Sequence, residues 1–273
     1  MAMTLPSLLR TIPLAALCLV GCGLDPKDGF LSLEATTLVE DYEEGREVLQ
    51  VGAAVAALPM YALSASTLTL ADAVAAQGEV AEVLTDPGCL TVETEGNVVR
   101  YTLDRCVGPW GLHEISGVET ATFEPGTDAG NFVIDVASSE LTVDGRPASH
   151  AVRAEVAVTS AEATVLFEGT FEGEAVGRGV THEVDVALGF GVDGAVELRG
   201  STETTVGLRG LRVELDLLRA GPLGTCVEGT VELSRRVGNL TVTLTFDGTD
   251  EYVARTNRGG RGTFYLDCTP VAP

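Results

Sequence analysis

The sequence predicts a mainly β protein: a large antiparallel meander, open or partly closed, with one or two N-terminal helices. Three observations predict it. From Cys89 onward, apolar and polar residues alternate with period 2 in segment after segment. Asp-Gly and similar turn pairs separate those segments at short intervals. Nothing between them has the length or the 3.6-residue period of a crossover helix, which parallel neighbours would need.

The chain begins differently. Arg10 is the only charge before Asp25, and the apolar run "TIPLAALCLVGCG" follows it. A helical span needs roughly 20 apolar residues, so this run is too short, and Pro13 interrupts it. A basic start, a short apolar run and small residues at its end describe a secretory signal peptide. The run closes on "LVGC", Leu19 to Cys22. That tetrapeptide resembles the lipobox of bacterial lipoproteins. The resemblance implies that residues 1–21 are removed as a lipoprotein signal peptide and that the Cys22 thiol receives a diacylglycerol. The new amine would then be acylated, with palmitate as the typical chain. Cys18, after Leu17, fits the pattern poorly. Acyl chains contribute about 0.8 kcal/mol per buried CH₂, so two or three make a durable anchor. In the family, Asp after the Cys retains the protein at the inner membrane. Gly23 stands there, so the expected address is the cell outer membrane, held through the N-terminal lipid.

Residues 22–36 read as a tether, and 37–273 as a single β-rich domain. A first helix is expected over 37–58. Thr37 and Glu40 make a capping box, Leu38, Tyr42, Val48, Leu49, Val51 and Val55 share a face, and Pro59 is expected to end it. A second is expected over 69–84, weakened by Gly78. The apolar stretch from Val48 to Leu63 is interrupted by Gln50, Gly52 and Pro59 and is shorter than a span.

The strands follow. "CLTVETEGNVVRYTLDRC" alternates on both sides of Glu95-Gly96, a hairpin signal. "GFGVDGAVELRG" repeats it around Asp193-Gly194, and "LTVDGRP" and "TLTFDGTDEY" carry further Asp-Gly turns. With the alternating runs between them, these predict roughly a dozen strands. If Cys22 carries lipid and Cys18 leaves with the leader, Cys89, Cys106, Cys226 and Cys268 remain. An even count in an exported chain reads as disulfides with three possible connectivities; four buried thiols are the alternative. Cys89 and Cys106 bracket one hairpin, and Cys226 and Cys268 bracket the last four strands, so local pairing fits the layout.

Two segments bear a second resemblance. "CLTVETEGNVVRYTLDRCVGPWGLHEISGVETATF" and "CVEGTVELSRRVGNLTVTLTFDGTDEYVARTNRGG" are similar to parts of uncharacterised β-rich bacterial surface lipoproteins. The likeness lies in structural motifs. A further Cys expected just after the Asp-Gly of the second segment is missing. The family has no assigned activity, so it supplies no functional residue.

Composition narrows the function. The 273 residues carry a net charge of −23, and −24 once Arg10 is removed with the leader. Such a field repels nucleic acid, so no nucleic-acid partner is expected. Aromatic residues are only 5%, too few for the girdles of a membrane barrel. No catalytic, cofactor or metal site is assigned. His113-Glu114 and His182-Glu183 lack the second His four residues after the first: Gly117 and Val186 stand there. The three histidines are expected at the surface. Asp247, Asp250 and Glu251 lack the EF-hand spacing and read as a solvated turn. "RGGRG", Arg258 to Gly262, reads as a hairpin turn, and the "NLT" triplet at Asn239 has no glycosylation role in a bacterial protein. The leading expectation is a non-enzymatic, lipid-anchored envelope domain that binds or scaffolds, with its protein or small-molecule partner unspecified. A carrier of an apolar ligand or lipid is the alternative, and a secreted hydrolase the third reading.

Overall fold

The structure, a computed structural model, describes residues 26–30, 56, 58–61, 69–84, 86–107, 114–128, 131–158, 162–175, 178–191, 195–207, 209–220, 226–235 and 238–265. Strand β1 is Pro26–Phe30. Helix α1 is Leu58–Tyr61, and α2, Leu70–Ala75, continues as a 3-10 helix over Ala76–Val83. A 3-10 turn at Pro87–Cys89 leads into the strands. These are β2 Leu90–Glu95, β3 Val98–Val107, β4 Glu114–Pro125, β5 Phe132–Val143, β6 Arg146–Val158, β7 Glu162–Ala175 and β8 Arg178–Gly191. Then come β9 Val196–Val206, β10 Arg209–Ala220, β11 Glu228–Arg235, β12 Thr241–Asp247, β13 Glu251–Thr256 and β14 Arg261–Tyr265.

All fourteen described strands form one sheet. β2 to β14 lie side by side in chain order, and β1 adds antiparallel to β14. The edges are β1 and β2, so the sheet is not closed. The chain therefore folds as the mainly β antiparallel meander that its alternation predicts.

The N-terminal part departs from expectation in three places. The expected tether contains β1, which belongs to the sheet. The second helix exists, but only its first half is α. Thr69 caps it by accepting a hydrogen bond from the Asp72 N–H at 3.2 Å, and the helix tightens to 3-10 where Gly78 lowers α propensity. Pro59 does not end the helix: Ala56 and Leu58 before it and Met60 and Tyr61 after it are helical. Of the helix expected over 37–58, only Ala56 and Leu58 lie within the described residues.

One face of the sheet is buried and the other is polar. Val99, Tyr101 and Leu103 of β3, Val152, Ala154 and Val156 of β6, and Tyr252 and Ala254 of β13 all point inward. The residues between them are mainly Thr, Glu, Asp and Arg. The inward residues form a single cluster with Leu58, Ala73 and Val80 of the helical segments. Strict alternation would keep such a sheet smoothly twisted, but bulges break it in several strands. In β3 the register shifts between Leu103 and Cys106, and in β5 between Ala137 and Leu141. Gly117 of β4 lies between these bulges with φ +139, and a Cβ there would stand 2.6 Å from Leu141 Cα. In β10 the register shifts between Leu215 and Leu218, where Leu217 has φ 48. Gly200 of β9 and Gly229 of β11 flank that bulge, and a Cβ on either would run into a neighbouring carbonyl. Bulges faced by glycines bend a sheet sharply.

The turns carry the expected chemistry. Asp144 and Gly145 both take positive φ, 49° and 75°, the type I′ requirement. Between β2 and β3 the turn is Gly96-Asn97, one residue later than Glu95-Gly96. Asp193-Gly194 lies outside the described residues. The disulfide Cys89–Cys106, with a sequence separation of 17, ties the turn before β2 to the end of β3.

Two outcomes follow for stability. Gly200→Ala should lower the unfolding free energy by about 3 kcal/mol, through clash and a strained φ. Gly207→Ala, at φ +60 with nothing within 4 Å, should lower it by only about 1 kcal/mol. Urea unfolding followed by circular dichroism measures both. Replacing Cys89 and Cys106 together by Ser should remove about 3 kcal/mol, read as a lower urea midpoint with unchanged native spectrum.

Candidate functional site

The inward face is apolar except along one line. Tyr101 of β3 stands opposite Glu119 of β4, and Glu119 opposite Ser138 of β5. Ser138 Oγ accepts the His150 N–H of β6 at 2.7 Å. His150 stands opposite Phe171 of β7, Phe171 opposite His182 of β8, and His182 opposite Thr204 of β9. A polar ladder thus crosses seven adjacent strands inside the core. Glu119, His150, His182 and Thr204, together with Gln77, are the buried polar side chains among the described residues.

The Tyr101 end is fully satisfied. Its hydroxyl donates to Gln77 Oε1 at 2.7 Å, and Gln77 Nε2 donates to the Pro59 carbonyl at 3.1 Å and the Ala73 carbonyl at 2.8 Å. One amide therefore locks α1, α2 and the sheet together. Burial, and then the charge of Glu119, push the Tyr101 phenol well above its ordinary pKa, so it stays a donor.

The centre is different. His150 Nε2 lies 3.2 Å from Glu119 Oε2, both side chains fully buried. The contact lacks hydrogen-bond alignment, and neither carboxylate oxygen nor either ring nitrogen has another partner. Burial raises the Glu119 pKa, an effect that proximity to His150 opposes. At the far end, the His182 ring Nδ1 is 2.9 Å from Thr204 Oγ1, and burial depresses the His182 pKa to about 3. The Phe171 ring separates the two imidazoles, 5.9 Å from one centroid and 6.1 Å from the other.

Ser138, His150 and Glu119 are the residue types of a hydrolytic triad, but not its arrangement. The serine hydroxyl bonds the His150 main chain rather than its ring, so nothing activates it as a nucleophile. His182 points inward and Glu183 outward on a strand, so the pair cannot share a metal. Among the described residues no three candidate ligands converge on a metal position. Asp247 serves its turn: Oδ1 accepts from Thr249 N–H at 3.2 Å and Thr249 Oγ1 at 2.7 Å, and these bonds lower its pKa. Arg258 to Gly262 form the β13–β14 hairpin turn and the start of β14, as expected.

Of the expected disulfide residues, Cys89 and Cys106 are bonded to each other. Cys226 is in a disulfide, while Cys268, Cys22 and His113 lie outside the described residues. The expectation of surface histidines fails for His150 and His182, which are 5% and 6% exposed. The signal was present: His150 is in phase with Val152, Ala154 and Val156, and His182 with Val180 and Val186. No described helix is long and apolar enough to cross a membrane. No family model, curated protein or solved structure matches the chain.

The depressed His182 pKa has a definite sign. Between its unfolded value near 6.5 and its folded value near 3, the unfolded chain binds the extra proton. Stability from this group is complete above pH 6.5 and falls as pH drops through that window, by up to about 1.4 kcal/mol per pH unit. His182→Asn can keep a bond to Thr204 and removes the titrating group. Its urea midpoint should therefore fall less steeply than wild type between pH 6.5 and 4.

Proposed function

We propose that this chain is a lipid-anchored domain of a bacterial envelope, held through Cys22 at the outer membrane, and that it binds or scaffolds without catalysing a reaction. The observation that carries the non-catalytic part is the sealing of the ladder. Among the described residues, Glu119 and His150 are reactive-type side chains in contact and His182 lies beyond Phe171, and all three are withdrawn from solvent. What the domain offers outward is a polar sheet face with turns at its two ends. Carriage of an apolar ligand has less support, because the inward apolar residues pack as one continuous cluster with the helical segments.

The anchor rests on "LVGC" after a short apolar run, with Arg10 before it. Cys22→Ser tests it, because Cys22 is not part of the Cys89–Cys106 bond. Expressed in a bacterial host, the wild type should partition with membranes, and its N-terminal peptide should begin at Cys22 and carry acyl mass. The variant should keep the β spectrum and lose the acyl mass. A wild-type N-terminus without acyl groups, or starting elsewhere, refutes the anchor.

A further inference from the structure

In a meander the turns alternate between the two ends of the sheet, and here the charges alternate with them. From β7 to β14, one end holds Arg178 and Arg209 at the starts of β8 and β10, and Arg235 at the end of β11. It also holds Arg255, Arg258 and Arg261 around the β13–β14 turn. Glu174, near the end of β7, and Asp28 of β1, at register opposite Thr263, are acids beside this row. The opposite end carries Glu228, Asp247, Asp250 and Glu251. The chain has 17 basic residues against 40 acidic ones, so a cationic end is not what even scattering would give.

We propose that this arginine-bearing end binds an anionic glycan, a polymer carrying carboxylate or phosphate groups. Arg255 and Arg261 are exposed and stand directly opposite each other across β13 and β14. Like charges so placed repel, and among the described residues neither has an ion-pair partner. The turn between them is braced. Thr256 N–H donates to the Gly260 carbonyl at 2.9 Å, Asn257 Nδ2 donates to the Asn239 carbonyl, and the Arg258 guanidinium donates to Asn239 Oδ1 at 2.9 Å. Repulsion held in a rigid frame is relieved by an anion, and guanidinium forks suit carboxylate and phosphate.

Spacing selects a polymer. Turns at the same end are two strand spacings apart, about 10 Å, so the four turns from β7–β8 to β13–β14 span about 30 Å along that end. No aromatic residue stands in these turns to stack a nucleic-acid base, which favours a glycan. The anchoring membrane is not the partner, an orientation that rests on the Cys22 reading above. β1 begins at Pro26, at the acidic end, and the intervening chain reaches at most about 14 Å.

The test uses the full chain in neutral detergent at low salt, with fluorescent polygalacturonate as probe. Binding should saturate and weaken as salt is raised. R255Q/R258Q/R261Q should weaken it at least about tenfold. R100Q/R199Q/R219Q, the same charge change nearer the acidic end, should alter it less than about twofold. Unfolding midpoints check both triples; should the first fail to fold, R261Q alone should weaken binding about threefold. No saturable binding by the wild type, equal loss in both triples, or tighter binding of a single-stranded DNA of equal charge overturns the proposal. Detergent binding is read whether or not Cys22 is acylated, so failure of this end and failure of the anchor are seen separately.

Discussion

A fourteen-stranded sheet with one apolar face cannot lie flat in water. Each inward Val, Leu or Phe contributes roughly 1.5–3 kcal/mol only when it is removed from solvent. The described helical segments, α1, α2 and their 3-10 extension, pack against part of that face. The bulges at β3–β5 and β9–β11 bend the sheet and help that face turn inward. Gly117, Gly200 and Gly229 are the cost of those bends: their φ values, +139, +128 and +132, are ones that side chains rarely adopt. The turn chemistry and the cross-strand register work within that constraint.

The polar ladder follows from the same constraint. Once the face is enclosed, any polar residue in phase with it is enclosed too. Gln77 shows the favourable solution, in which every donor and acceptor finds a partner across three elements. Glu119 and His150 show the other, a charge-capable pair in close contact but poorly aligned. A buried pair of this kind is weak evidence for stability. Its consistent effect is on register, because a one-residue slip of β4 or β6 would move either partner to the opposite face.

Much of this was legible in the sequence. Period 2 and the Asp-Gly pairs foretell the strands, their antiparallel sense and their order, because short turns leave a meander as the simplest path. The bulges were not legible: Arg105, Glu140 and Leu217 are ordinary residues locally, and only the neighbouring strand's glycine makes sense of them. β1 was missed because "PKDGF" has no alternation and finds its partner far away in β14. The buried histidines were readable in principle. Their phase places them with the apolar residues, against the general tendency of polar side chains to lie outside.

The position of β1 also bears on how the chain assembles. Every other strand pairs with its sequence neighbour, so contact order is low over most of the sheet and hairpins can add one by one. β1 alone waits for β14, more than two hundred residues later. During vectorial synthesis or export, the earliest strand is the last to find its place, and until then both it and the β14 edge expose unpaired main-chain groups. Docking of β1 thus works as a completion step, one that a chain truncated before β14 cannot take.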